Sequence, residues 1–188
     1  MVRKIAVISI LVLAIKANSL QAQVLFEGGA RNTVYAELAG TAGLWSVNYD
    51  RVIMYAGKFK VGARLGFGFM TEGYEGSTVD TYIPFTVNGL YSFSNHHIEA
   101  GIGFNVASYD VIDVTDVVNP GWTRKTELWG SWHFGYRFQQ GNGGMFYRVV
   151  YSPFFYGGNP QGRFEHWAGI GIGWTLRPKG FKKTKDKE

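Results

Sequence analysis

The sequence predicts an all-β fold: an eight-stranded antiparallel up-and-down transmembrane β-barrel, preceded by a signal peptide. Three observations carry this expectation. Apolar residues recur at every second position along most of the chain, which is the strand period. The alternate positions hold glycine, small polar residues and charges. The connections between the apolar runs are in turn short and long, the asymmetry of a barrel with short periplasmic turns and longer external loops.

The leader comes first. Arg3 and Lys4 precede an apolar run from Ile5 to Ile15, which is too short to span a bilayer as a helix. "KANSLQAQ" follows, and the layout is that of a secretory signal over 1–22, cut after Ala22. A cut after Ser19, with Ala17 at the −3 position, is the alternative. There is no cysteine, so a lipid anchor at the junction, disulfides and thiolate chemistry are excluded. Residues 23–176 form the barrel and 177–188 a basic periplasmic tail, with both mature termini on the periplasmic side.

Eight strands are predicted in order over 33–40, 44–55, 58–70, 81–93, 97–108, 123–139, 145–155 and 165–176. The first two are separated only by Thr41-Ala42-Gly43, so a single long strand over 33–55, and a count of seven, is the competing reading. The second ends at the turn Ala56-Gly57-Lys58. The third shows the alternation most clearly: Phe59, Val61, Ala63, Leu65, Phe67 and Phe69 oppose Lys60, Gly62, Arg64, Gly66 and Gly68. The fourth follows the long connection 71–80 and closes at Ser94-Asn95-His96. The fifth sets Ile98, Ala100, Ile102, Phe104 and Val106 against His97, Glu99, Gly101, Gly103 and Asn105. The sixth, after the long connection 109–122, sets Leu128, Trp132, Phe134, Tyr136 and Phe138 against Glu127, Ser131, His133, Gly135 and Arg137. The seventh follows the short stretch 140–144. The eighth, beyond 157–164, alternates Ala168, Ile170, Ile172, Trp174 and Leu176 with glycines.

The glycine-and-charge face decides the orientation. A soluble barrel would turn it outward, wasting strand propensity on solvent. A membrane barrel turns the large apolar groups to lipid, and glycine relieves crowding in a narrow lumen. Trp45, Tyr49, Tyr91, Trp122, Trp132, Tyr136, Tyr147, Tyr151 and Trp174 are then available for interfacial girdles, while Trp129 and Trp167 fall on the lumen side.

"VYAELAGTAGLWSVNYDRVI" (34–53), "GYRFQQGNGGMFYRVVYSP" (135–153) and "HWAGIGIGW" (166–174) together resemble a family of small outer-membrane barrels common in Bacteroidota. The resemblance covers most of the mature chain and implies a cell-outer-membrane address rather than an activity. It also implies that the last strand, ending in Trp174 and Leu176, is the insertion signal read by the barrel-assembly machinery. The twelve residues that follow Leu176 depart from the usual pattern, in which an aromatic residue closes the chain.

The charged residues on the inward face are the candidate functional set: Glu37, Asp50, Lys60, Arg64, Glu99, Glu127, Arg137, Arg148 and Glu165. Glu99, Arg137 and Arg148 are expected together near the periplasmic end, and Asp50 with Lys60 across the turn between the second and third strands. Unpaired buried charge costs several kcal/mol, so the expected arrangement is a paired polar core that fills the lumen. A selectivity or proton-relay path is the alternative.

No catalytic site is expected. Ser94, His97 and Glu99 match a hydrolase triad only in composition, and adjacent His96 and His97 point to opposite faces, which makes them poor joint metal ligands. His133 reads as a satisfied interior histidine and His166 as solvated. Asp110, Asp113 and Asp116, with Glu72, Glu75 and Asp80, make an acidic outer rim. Such loops can hold Ca²⁺, but the EF-hand pattern is missing. A solvated rim is the expectation, and divalent bridging to lipopolysaccharide phosphates the alternative. Gly66-Phe67-Gly68 and Gly101 to Gly103 lie mid-strand before no helix, so they are not phosphate loops, and no cofactor is expected.

The basic balance of the whole chain, +5, is no argument for nucleic acid. Three cations fall in the leader and six in the tail, leaving ten cations and twelve anions over 23–176. The expected partners are outer-membrane lipid and lipopolysaccharide, the assembly machinery during insertion, and a further membrane or periplasmic protein. The expected role is non-enzymatic: structural, adhesive or accessory. A narrow or gated pore for small solutes, and then a lipid-modifying enzyme, stand behind it.

Overall fold

The computed structural model describes residues 29–71, 79–113, 121–156 and 163–177. The leader, the tail beyond Arg177 and most of the acidic loops, Asp116, Glu72 and Glu75 included, lie outside the described residues. The described chain is built of strands: β1 Asn32–Gly40, β2 Gly43–Ala56, β3 Phe59–Thr71, β4 Val79–Phe93, β5 His96–Asp113, β6 Gly121–Gln139, β7 Gly144–Tyr151, β8 Phe154–Tyr156, β9 Arg163–Glu165 and β10 Ala168–Leu176.

Every strand is antiparallel to the strands it pairs with, and β1 pairs with β10, so the sheet closes on itself. Closure gives each long strand two partners, and the short β9 pairs with β8 alone. The ring contains eight strands, because β7 with β8, and β9 with β10, are each one strand interrupted. The interruption falls at Pro153, which has no N–H to give the ladder. Register is kept across it: Tyr151 pairs with Ala168 below the break and Phe154 with Glu165 above, while Ser152 N–H donates to Trp167 O at 2.8 Å. The first two strands are separate, with Gly40 opposite Gly43, which removes the seven-strand reading. Gly43 takes φ +81° in that turn, a conformation that favours glycine. The turn of β4–β5 is tighter than the sequence suggests, because His96 already pairs with Phe93.

The parity read from the sequence sorts the side chains. Large apolar groups stand outside: Leu65, Phe67, Ile102, Phe134, Ile170, Ile172 and Trp174 are all exposed. Glycines and polar groups stand inside. One device breaks the parity. The register of β2 against β3 slips between Val52 and Met54, so Ile53 and Met54 both face out and Tyr55 turns in.

β5 and β6 are the longest strands and run past the rest of the wall at the end opposite the short turns. There Arg124 bridges the outer face, donating to Ser108 Oγ (3.0 Å) and Val79 O (2.8 Å), with Asp110 at 3.5 Å. The sequence pattern ends β5 at Ser108 and puts Asp110 in the acidic rim. The hairpin continues to Asp113, and its second strand sets Arg124 opposite Asp110.

Candidate functional site: the lumen

Inward side chains fill the bore in three layers. At the short-turn end a cavity of about 250 Å³ is lined by Ala30, Val52, Tyr55, Lys60, His97 and Gln139. The Lys60 ammonium and the Arg31 guanidinium lie over the Tyr55 ring, 5.6 and 5.2 Å from its centroid. Val52 and Tyr55, which line it, pack with Leu90 as an apolar cluster.

The middle layer is a closed circuit of charge. Arg64 Nη1 reaches Glu37 Oε2 at 3.4 Å, and the other oxygen of Glu37 takes Arg148 Nη1. Arg148 donates through Nε (3.1 Å) and Nη2 (2.9 Å) to Glu99 Oε1. Arg137 Nη1 lies 3.6 Å from Glu99 Oε2, and its Nη2 donates to Asp50 Oδ1 at 2.8 Å. From Asp50 the path returns through neutral groups. Asn88 Nδ2 donates to Asp50 Oδ2 (2.9 Å), Thr86 Oγ1 to Asn88 Oδ1 (3.0 Å), and Arg64 Nε to Thr86 Oγ1 (3.1 Å). Three arginines and three carboxylates balance, and all six side chains are at most 1% exposed. Strands β1 to β7 each contribute a member.

The local sequence explains why this fits. Arg137 and Arg148 are direct cross-strand neighbours, a repulsive placement. Glu99 stands between their guanidiniums and neutralises both. On β10 the position beside Arg148 is Gly171. A Cβ there would meet the Tyr35 ring at 3.1 Å and Arg148 Cβ at 3.4 Å. The absence of that atom lets Tyr35 lie against the wall and receive a 2.9 Å hydrogen bond from Arg64 Nη1.

The third layer is aromatic. Tyr82, Tyr109, Trp129, Phe154 and Trp167 form a chain of ring contacts toward the long-loop end. Glu127 belongs here: it accepts from Tyr109 Oη (2.8 Å) and Trp129 Nε1 (3.3 Å).

Of the nine inward charges read from the sequence, the structure brings together Glu37, Asp50, Arg64, Glu99, Arg137 and Arg148. Glu127 sits in the aromatic layer, half-buried Glu165 on β9 opposite Phe154, and Lys60 in the cavity. The expected partnership of Asp50 with Lys60 is not formed. Asp50 stands in register with Arg64 and Lys60 with Tyr55, nearer the turn, so the two are apart on the wall and Asp50 is taken by Arg137 from the far side of the lumen. The interior is also less uniformly polar than expected: Val52, Leu90, Phe146, Val150 and Phe154 are buried within it.

His97 Nδ1 lies 2.8 Å from Ser92 Oγ, its register partner, and not from Ser94. Ser94 is exposed in the turn at φ +61°, and Glu99 is engaged with the arginines, so the triad-like set is not assembled. His133 Nε2 lies 3.0 Å from Glu99 Oε1. Strand parity alone names no such partner for His133. The members missed, Tyr35, Thr86 and Asn88, are neutral residues on the inward parity, which a search restricted to charges passes over. Among the described residues no cluster of three or more His, Asp or Glu could hold a metal ion.

No family model matches the chain, and no curated protein matches it. Among solved structures the fold is similar to the N-terminal β-barrel domain of Pseudomonas aeruginosa OprF. The TM-score is 0.53 with 13% identity, over 78% of this chain and 98% of that one.

Proposed function

We propose that this chain is a small outer-membrane β-barrel whose lumen is plugged, and that it serves as a membrane-anchored structural or accessory component rather than a conduit. The closed circuit of Arg64, Glu37, Arg148, Glu99, Arg137 and Asp50 carries this reading. It spans the bore, it is neutral, and parting it would leave buried charges without partners, at several kcal/mol each. The membrane reading is supported by the outward wall. Ile102, Ile170 and Leu128 are among its most exposed residues. Tyr49, Phe59, Phe93, Tyr136, Tyr147 and Trp174 girdle the short-turn end on the same outer face. A likeness in fold to the OprF barrel domain and the resemblance to Bacteroidota barrels agree with it. In this arrangement the short turns face the periplasm, and the β5–β6 hairpin stands out from the external leaflet for an adhesive or protein contact.

A gated pore is the second reading, favoured by the cavity of about 250 Å³ at the short-turn end. That cavity ends on Val52, Tyr55 and the circuit beyond, so conduction requires the circuit to open. The protein refolded into planar bilayers distinguishes the two: the plugged barrel shows no resolved conductance steps, and steady channel openings would overturn it. Heat-modifiable gel migration of the membrane fraction tests the barrel's address.

A further inference from the structure

Between the charged circuit and the aromatic layer lies a row of inward residues, each keeping a polar atom that neither layer engages. His133, Ser152 and Trp167 are neighbours across three adjacent walls of the ring. The register of β6 against β7 continues unchanged into β8, which places Ser152 beside His133. The bond from Ser152 N–H to Trp167 O sets the other pair. Ser131 stands one inward step toward the long-loop end, in register with Phe154.

All four carry a polar atom that is buried and has no hydrogen-bond partner within the described chain: His133 Nδ1, Ser152 Oγ, Trp167 Nε1 and Ser131 Oγ. Three of the residues are closed off, with Ser152 0%, His133 1% and Ser131 7% exposed, and Trp167 is half-buried. The positions opposite Ser131 and His133 on β5 are Gly103 and Gly101, so that strand offers no side chain to pair them. One buried orphan is a tolerable defect; four on contiguous positions describe a surface made for something that bonds.

The chemistry of the set selects the guest. An indole N–H only donates, hydroxyls donate and accept, and imidazole Nδ1 does either according to its tautomer. None of the four atoms carries a formal charge to hold an ion, and the circuit below is already balanced. The guest is therefore neutral, small, and both donor and acceptor. We propose that this row is a hydration site, holding ordered water between His133, Ser152, Trp167 and Ser131. Water there touches the centre of the circuit through His133, while the rings of Trp129 and Phe154 bar larger solutes from the long-loop side.

Two measurements on the full mature protein, refolded in micelles, test this. With ¹⁵N-labelled tryptophan, the Trp167 indole proton, identified from its loss in Trp167→Phe, should show a direct rotating-frame cross-peak to water. Ser152→Ala should weaken that cross-peak at least twofold and lower, or leave unmoved, the urea midpoint. In a dry row the same substitution removes an orphan hydroxyl and raises the midpoint. Absence of the water cross-peak, or a raised midpoint for Ser152→Ala, would overturn the proposal.

Discussion

Glu99→Gln is the sharpest perturbation of the lumen. The amide keeps the shape of the side chain and removes its charge. Arg148, at 2.9 Å, loses one of its two carboxylate partners, and Arg137, at 3.6 Å, keeps only Asp50. The circuit moves from neutral to a net positive charge, with two arginines side by side in register. A unit-charge contact near 4 Å is worth about 4 kcal/mol at an effective dielectric of 20. Two such contacts are lost, and relaxation of the long side chains recovers part of the energy. The expected net loss is therefore about 3–5 kcal/mol, the range for breaking one partner out of a buried pair. Reversible urea unfolding in lipid vesicles, followed by tryptophan fluorescence, reads this as a lower midpoint at unchanged slope. The double variant Glu99→Gln/Arg148→Met should regain part of the loss, because it withdraws the uncompensated cation. A loss below about 1 kcal/mol for the single variant, the value of a solvated pair, would refute the claim that the circuit is shielded.

Two other substitutions test the orientation of the wall and the fit of the lumen. Ile102→Arg, at an outward position 71% exposed, should cost about 2–4 kcal/mol in a bilayer; a change within about 0.5 kcal/mol, as on a solvated surface, would contradict the lipid-facing reading. Gly171→Val should cost about 1–3 kcal/mol by driving Tyr35 off the wall, while Gly130→Ala, where a Cβ meets nothing within 4 Å, should be silent in the same urea titration.

The wall was legible in the sequence because strand parity is a local rule. Knowing that Phe67 faces out is enough to place Gly66 and Gly68 inside. The rule fails where one residue is added without a mark: nothing in "RVIMYA" announces that Ile53 and Met54 share a face, and the slip is what turns Tyr55 inward. Partner choice inside the ring was legible only in part. Glu99, Arg137 and Arg148 lie on consecutive strands, so their meeting followed from height and order. Asp50 meets Arg137 across the diameter, a distance that depends on shear and closure rather than on spacing along the chain. Pro153 divides one strand into two short ladders without moving its register, and that too follows from a missing donor rather than from any change in the pattern.

The circuit also bears on how the polypeptide reaches its final state. Glu37 and Arg148 are 111 residues apart in the chain, and Asp50 and Arg137 are 87 apart. No hairpin or early fragment contains a complete set of these partners. A sheet still open at the β1–β10 seam therefore holds guanidiniums and carboxylates that water must stabilise. Sealing the seam removes that water and matches every ion in a single step. Sequestration from water and correct assembly are thereby tied together, so a misregistered ring is penalised by the unmatched ions it would bury.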